Sequence, residues 1–287
     1  AEIQKARPLQ SLSETDLTLS EFKILDDLAL ERKLEEKYGL TEALIAVPAY
    51  EQSSDQEVAF QAVDYILRVL KKNMVFGMTW GRAMHEFVEQ LAKDERLRSL
   101  SFQNVKVVPF LGTPGAIQSD SWNTTTYSNT LATKVGNLLH CASYNLSAPM
   151  YVEGTKEKEL IESIDEIAKV LHMAETADIA LIGIGSMQDD SSIIKAEIRT
   201  KEEYKELVRK GAVGEIVGRI YDKNGQTVDE DLKRKMVGIS LDKIAKIPVR
   251  VGMSYGKDKI EAIKGAIVGG LVNVLVTDVP TAELLLK

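Results

Sequence analysis

Residues 179–186 read Ile179-Ala-Leu-Ile-Gly-Ile-Gly-Ser186. An uncharged, branched aliphatic run that closes on two glycines and a hydroxyl describes a strand buried on both faces, with a tight turn at its carboxyl end. A strand covered above and below belongs in a parallel sheet between helical layers.

Working outward, the same alternation repeats. On the N-terminal side, Ala43–Val47 is a short strand ended by Pro48, and Asp55–Lys72 is a helix with Val58, Ala62, Ile66 and Leu70 on one face. Strand Met74–Gly77 precedes helix Arg82–Lys93, strand Val105–Phe110 precedes helix Tyr127–Cys141, and Lys156–Met173 reads as one further helix. On the C-terminal side, Val249–Met253, Asp258–Val268, Val272–Thr277 and Thr281–Leu286 alternate strand, helix, strand, helix. Strands alternating with helices predict an α/β fold with a mostly parallel sheet. Between Ser186 and Asp242 the alternation weakens, as expected of an insertion or lid. A charged helix from Leu28 stops at Gly39, with acids at its start and Lys37 near its end. Residues 1–26 read as a linker or arm, leaving 27–287 as one domain.

Composition narrows the function. Thirty-six basic against forty-three acidic residues give a net charge of −7, so the chain has no overall attraction for nucleic acid or an anionic membrane. The single cysteine, Cys141, excludes an internal disulfide and fits a reducing compartment. The N-terminus carries no signal-peptide core, and apolar runs are too short to span a bilayer. These features predict a cytoplasmic protein without a membrane partner.

Ligands of open α/β sheets sit where strands lead into helix N-termini. The first such exit, Val75-Phe-Gly-Met-Thr79-Trp-Gly81-Arg82, offers glycines, a hydroxyl and a guanidinium. It suits a phosphate or carboxylate, or is a plain turn whose glycines serve geometry. Two more exits, Leu111-Gly-Thr-Pro-Gly115 and Ile182–Ser186, carry glycines as well. Near the C-terminus, Lys257 or Lys259 stands where a helix begins and can reach an anion. Glu215 and Arg219, four residues apart in a Gly-rich segment, either face a pocket or pair with each other. His85, His140 and His172 have no metal-ligand spacing, and Cys141 lacks an activating cation. The residues predict no metal and no cofactor. Asp189-Asp190 either binds a cation or, as such pairs more often do, solvates a loop.

Three motifs, Ala177–Ser186, Gly211-Ala-Val-Gly-Glu-Ile-Val-Gly-Arg-Ile-Tyr-Asp222 and Val237-Gly-Ile-Ser-Leu-Asp242, together with Phe76–Gly81 and Val272–Asp278, resemble the effector-binding domain of SorC-family bacterial transcriptional regulators. The likeness runs from about Leu34 to Lys287. It implies a Rossmann-like domain related to sugar-phosphate isomerases and deaminases, which binds a phosphorylated sugar and assembles as a homodimer or homotetramer. It implies further that the effector alters operator binding by an N-terminal helix-turn-helix module, for which residues 1–26 are too short. Carried over by motif, the effector site comprises Thr79, Gly81, Arg82 and Ala83, then Leu111, Gly112 and Thr113, with Glu215 on sugar hydroxyls, Lys259 on phosphate, and Asp278. Leu111 and Arg82 depart from the family's usual residues, and Arg82 also suits a non-phosphorylated carboxylate. A sensor needs no general base. An isomerase or deaminase needs one, for which Glu215 is the candidate, and a pure scaffold leaves the Gly-rich exits unexplained. The sequence therefore favours a non-enzymatic sensor.

Overall fold

The computed structural model describes residues 19–46, 53–114, 124–189 and 191–287, with main chain only over 19–27. In chain order the strands are β1 (Glu42–Ala46), β2 (Val75–Met78), β3 (Lys106–Pro109), β4 (Ala142–Ser143), β5 (Ile179–Gly183), β6 (Gly185–Ser186), β7 (Ala212–Ile216), β8 (Arg219–Asp222), β9 (Val249–Met253) and β10 (Val274–Asp278). The helices are α1 (Leu19–Tyr38), α2 (Ser54–Val69), α3 (Arg82–Lys93), α4 (Ser128–Leu138), α5 (Thr155–Glu162), α6 (Asp165–Glu175), α7 (Ser192–Lys195), α8 (Lys201–Arg209), α9 (Glu230–Lys235), α10 (Leu241–Ile244), α11 (Ile260–Val268) and α12 (Val279–Leu286).

Seven strands form one sheet in the order β1-β10-β9-β5-β2-β3-β4, every neighbour pair parallel. The opening stretch sits at its centre. Ile179 and Leu181 of β5 enter the core beneath α2, α3 and α4, while Ala180 and Ile182 enter the core shared with α1, α11 and α12. That alternation between two buried faces is why the run carries no polar residue. From β2 the chain steps out through β3 to β4, returns to β5 on the other side of β2, and continues away through β9 to β10. Its direction reverses between β2 and β5, the point at which open sheets of this kind generally bind ligands.

β1 is an edge strand, and its outward amides are satisfied by α1. Glu35 Oε1 accepts from Ala43 N–H at 3.0 Å and Glu31 Oε1 from Ile45 N–H at 2.9 Å. Four residues along a helix and two along a strand both advance roughly 6 to 7 Å, so the two carboxylates match alternate amides and cover the edge. Lys37 Nζ bonds the carbonyls of Leu285 and Leu286, closing the end of α12.

Two helix boundaries differ from the sequence reading. α1 begins at Leu19, within the stretch assigned to a linker, because Ser20-Glu-Phe-Lys-Ile-Leu continues helix-compatible residues upstream of Asp26-Asp27. Residues 1–18, Pro48, Gly115 and Asp190 lie outside the described residues. The single helix expected over Lys156–Met173 is two, α5 and α6. Ser163 Oγ bonds back to the Leu160 carbonyl at 2.7 Å, Ile164 is extended, and Asp165 and Glu166 start a new first turn. His140 lies beyond α4 in a left-handed conformation (φ 50°) rather than inside a helix.

Residues 186–242 hold the antiparallel ribbon β6-β7-β8. The ribbon packs on α11, where the Tyr221 hydroxyl donates to the Ala262 carbonyl at 2.9 Å. Ile216, Tyr221 and Met236 join the same core as Ile182.

Candidate functional site

At the reversal point, β2 and β5 are stitched by a side chain. Thr79 is buried, and its hydroxyl oxygen accepts from Gly183 N–H at 3.0 Å. The chain then turns at Gly81, whose φ of +106° and extended ψ are open to glycine alone. Gly81 caps α3 without a side-chain acceptor, and the first turn of α3 holds no acid. A twelve-residue helix thus presents its positive end at the sheet's carboxyl edge with no acid in its own first turn.

Glu215 reaches the same edge from β7 and is 6% exposed. Its Oε1 accepts from the Gly218 N–H and its carboxylate from the Trp80 side chain, with Lys259 close enough to stabilise its charge. Burial pushes the carboxyl above its ordinary range, and Gly218, Lys259, Trp80 and Arg219 oppose that push. A Cβ on Gly185 would stand 2.8 Å from Oε2, so a side chain at 185 would displace the carboxylate from its present place. Ser186 Oγ bonds Asp258 Oδ2 at 3.0 Å, and Ser254 Oγ bonds the Ile184 carbonyl at 3.3 Å, tying the β5 and β9 exits together. Of the two candidate lysines, Lys257 is exposed, whereas Lys259 is partly buried beside Glu215 at the start of α11.

Glu215 and Arg219 do not pair. Ile216 opposes Arg219 across the ribbon and Glu215 opposes Ile220, so the two side chains leave opposite faces. Glu215 faces the sheet edge. Arg219 points the other way, and its Nη2 donates to the carbonyls of Met236 and Gly238 at 3.1 and 3.0 Å.

The remaining predicted residues fall into three places. Arg82 and Ala83 line a cavity of about 210 Å³ with Asp55, His85, Glu86, Met253 and Tyr255. The Tyr255 hydroxyl bonds Asp55 there, and burial followed by Asp55 pushes its pKa up. Leu111, Gly112 and Thr113 are woven into the fold. Leu111 is buried and bridges Gly238, Gly112 N–H donates to the Val237 carbonyl at 3.1 Å, and Thr113 N–H donates to Ala148 at 2.8 Å. Thr113 Oγ1 accepts from Asn129 at 2.8 Å. Asp278 caps α12, its Oδ1 accepting from Thr281 N–H at 3.0 Å. Gly77, quoted within the first exit, lies inside β2, where its missing side chain makes room for the Phe110 ring.

Sequence reading missed Trp80, Gly185 and Gly218 as partners of Glu215. Each stood in a quoted motif, yet no spacing links position 80 to position 215. Elsewhere the described residues hold no cluster of metal-ligating side chains, and burial pushes the Cys141 thiol up to about 11. A hollow of about 730 Å³ lies along α6, walled by Tyr144, Ile167, Val170 and Met173. Asn145 and Ser147, just past β4, and Glu166, Lys169 and His172 of α6 share its lining.

The family described as "Putative sugar-binding domain" matches residues 23–287. The chain belongs to this family. The sorbitol operon regulator of Klebsiella pneumoniae is 30% identical over 266 residues, covering 91% of this chain and 81% of that protein. The deoxyribonucleoside regulator of Bacillus subtilis (strain 168) is 26% identical over 269 residues, covering 93% and 81%. The crystal structure of the full-length sorbitol operon regulator SorC from Klebsiella pneumoniae superposes with a TM-score of 0.82 at 28% identity, over 96% of this chain and 84% of that one. The fold is therefore that of the sugar-binding domains of SorC-like transcriptional regulators, and the described helices include none long and apolar enough to cross a membrane.

Proposed function

We propose that this domain senses a phosphorylated sugar at the carboxyl ends of β2, β5 and β9, and that occupancy changes how a regulator of this kind holds its operator. The observation that carries the reading is the Glu215 carboxylate. It is buried, held by Gly218 and Trp80, set beside Lys259, and adjacent to the uncapped start of α3. A fixed carboxylate accepts from sugar hydroxyls, while a helix N-terminus with Lys259 and Arg82 nearby suits the phosphate. Thr79, Gly81 and Ala83 shape the turn, and Leu111, Gly112, Thr113 and Asp278 form its supporting frame.

The same geometry favours sensing over isomerase chemistry. Among the described residues the groups around Glu215 are Gly218, Trp80, Lys259, Arg219, Tyr221 and Gly185, without a histidine or second carboxylate to relay a proton. Operation as a dimer or tetramer in the cytoplasm, acting on operator DNA through a helix-turn-helix module, completes the reading. Coupling then equals the difference in ligand affinity between two quaternary arrangements.

The test is a thermal-shift screen against hexose and pentose monophosphates, the free sugars, and small carboxylates. At 100 times its dissociation constant a ligand adds about 2.7 kcal/mol of stability. A shift with a sugar phosphate and none with the free sugar is the expected result. A shift with carboxylates alone overturns the phosphate assignment.

A further inference from the structure

Arg219 is 3% exposed, yet no carboxylate lies within ion-pair distance of it among the described residues. Its Nη2 serves two carbonyls, and its Nε and Nη1 have no protein partner among those residues. Burying a guanidinium for a salt bridge is commonplace; burying one for a pair of carbonyls asks what those carbonyls hold. Met236 and Gly238 flank Val237, whose carbonyl points the opposite way and accepts from Gly112 N–H at 3.1 Å. Val237 N–H donates to Met150 at 2.9 Å, and Ile239 N–H donates to the Phe110 carbonyl at 2.8 Å. Gly238 lies so close to this strand exit that a Cβ would stand 2.5 Å from the Phe110 carbonyl oxygen. Residues 236–239 are thus a seam, with the β3 exit on one side and the Arg219 fork on the other.

We infer that Arg219 is a positioning residue, which sets the register of the Glu215 hairpin against the braced β3 exit and so fixes where Glu215 presents to a ligand. Val217 and Gly218, at φ 54° and 68°, are all that separate Ile216 from Arg219, so a shift of the fork is transmitted to the Gly218 amide that holds Glu215. Glu162 and Lys158 of α5 lie near enough to act electrostatically on Arg219. Their own pairing, at 3.7 Å, leaves the fork as the fixed anchor. The inference rests on the sugar reading of this edge only for its effect on affinity; the register itself is independent of any ligand.

The experiment uses the full chain with Arg219→Met, which keeps length and loses every donor, and Arg219→Lys, which keeps charge and loses the two-carbonyl fork. Hydrogen exchange at the Gly112 and Ile239 amides is expected to accelerate at least tenfold in Arg219→Met and several-fold in Arg219→Lys, with the Gly183 amide on Thr79 unchanged. Affinity for whichever hexose or pentose monophosphate shifts the wild type should fall about tenfold in parallel. Wild-type exchange at Gly112 in the folded variants overturns the inference, as does accelerated exchange with affinity unchanged, which marks a merely structural bond. If Arg219→Met does not fold, Arg219→Lys decides by the same readings. Should no sugar phosphate bind the wild type, the function proposed above fails and the positioning role falls with it, while the exchange measurement still decides whether Arg219 holds the seam's register.

Discussion

The β2 and β3 exits look alike as strings of residues, and the fold uses them in opposite ways. Val75–Arg82 and Val108–Pro114 each run from an apolar strand through glycine and threonine into a turn. At the β2 exit the threonine hydroxyl ties two strand ends together, and the turn opens a helix whose first positions meet no side-chain cap. At the β3 exit the amides of Gly112 and Thr113 donate to Val237 and Ala148, and Asn129 takes the threonine hydroxyl. The Thr79 and Gly81 amides of the β2 exit are taken too, by the Leu181 and Thr126 carbonyls, so what sets this exit apart is the helix it opens. The β3 exit spends its polar groups on the seam that braces it.

The sharpest break of this comparison is the same substitution at both glycines. An alanine Cβ at 112 would stand 2.5 Å from the Ala148 carbonyl oxygen and 2.7 Å from Pro149. Gly112→Ala is therefore expected to cost about 3 kcal/mol, since main chain cannot step aside cheaply. Position 81 has open space around it but φ +106°, so Gly81→Ala is expected to cost about 2 kcal/mol through strain alone. Urea unfolding of both variants checks the order, and a Gly112→Ala protein as stable as wild type would show that the seam is loose.

Glu215→Gln probes the liganded side. Burial holds the folded carboxyl above its unfolded value. The stability this residue contributes is then complete below the unfolded pKa and is lost as pH rises through the folded one. Relative to wild type, the melting temperature of Glu215→Gln should climb between pH 4 and pH 8, while affinity for the sugar phosphate drops about tenfold or more. A gap that narrows with rising pH would mean that the Gly218, Trp80 and Lys259 contacts outweigh burial.

Arg82→Ala is the mildest. Arg82 is exposed, so unfolding free energy should stay within about 0.5 kcal/mol of wild type. Phosphate-ligand affinity should fall roughly tenfold, measurable by calorimetry. Unchanged affinity would assign Arg82 to the Asp55–Tyr255 cavity and leave Lys259 as the phosphate's cation.

The comparison also marks how far the chain could be read without its fold. Ile179–Ile182 declared a doubly buried strand because each of its residues meets one of two cores, and period and polarity report burial directly. Glycine at 81 and the lysine pair at 257 and 259 were legible as a turn and a helix start, since those preferences are local. The break at Ser163–Ile164 was missed because its hydroxyl-to-carbonyl bond competes with a helix that the surrounding residues also favour.

The alternation of apolar strands and amphipathic helices, with glycine at the strand ends, was enough to determine a mostly parallel α/β sheet. Those signals act over a few residues, and a chain displays them in order. Tertiary structure alone decided that Glu215 rests on Trp80 and Gly218, and that Arg219 turns away from it to grip Met236 and Gly238. These outcomes depend on which acceptor arrives opposite which donor, across more than a hundred residues for Trp80 and Glu215 and fewer than twenty for the others. A hydrogen bond is satisfied or left open only once both partners have been brought together.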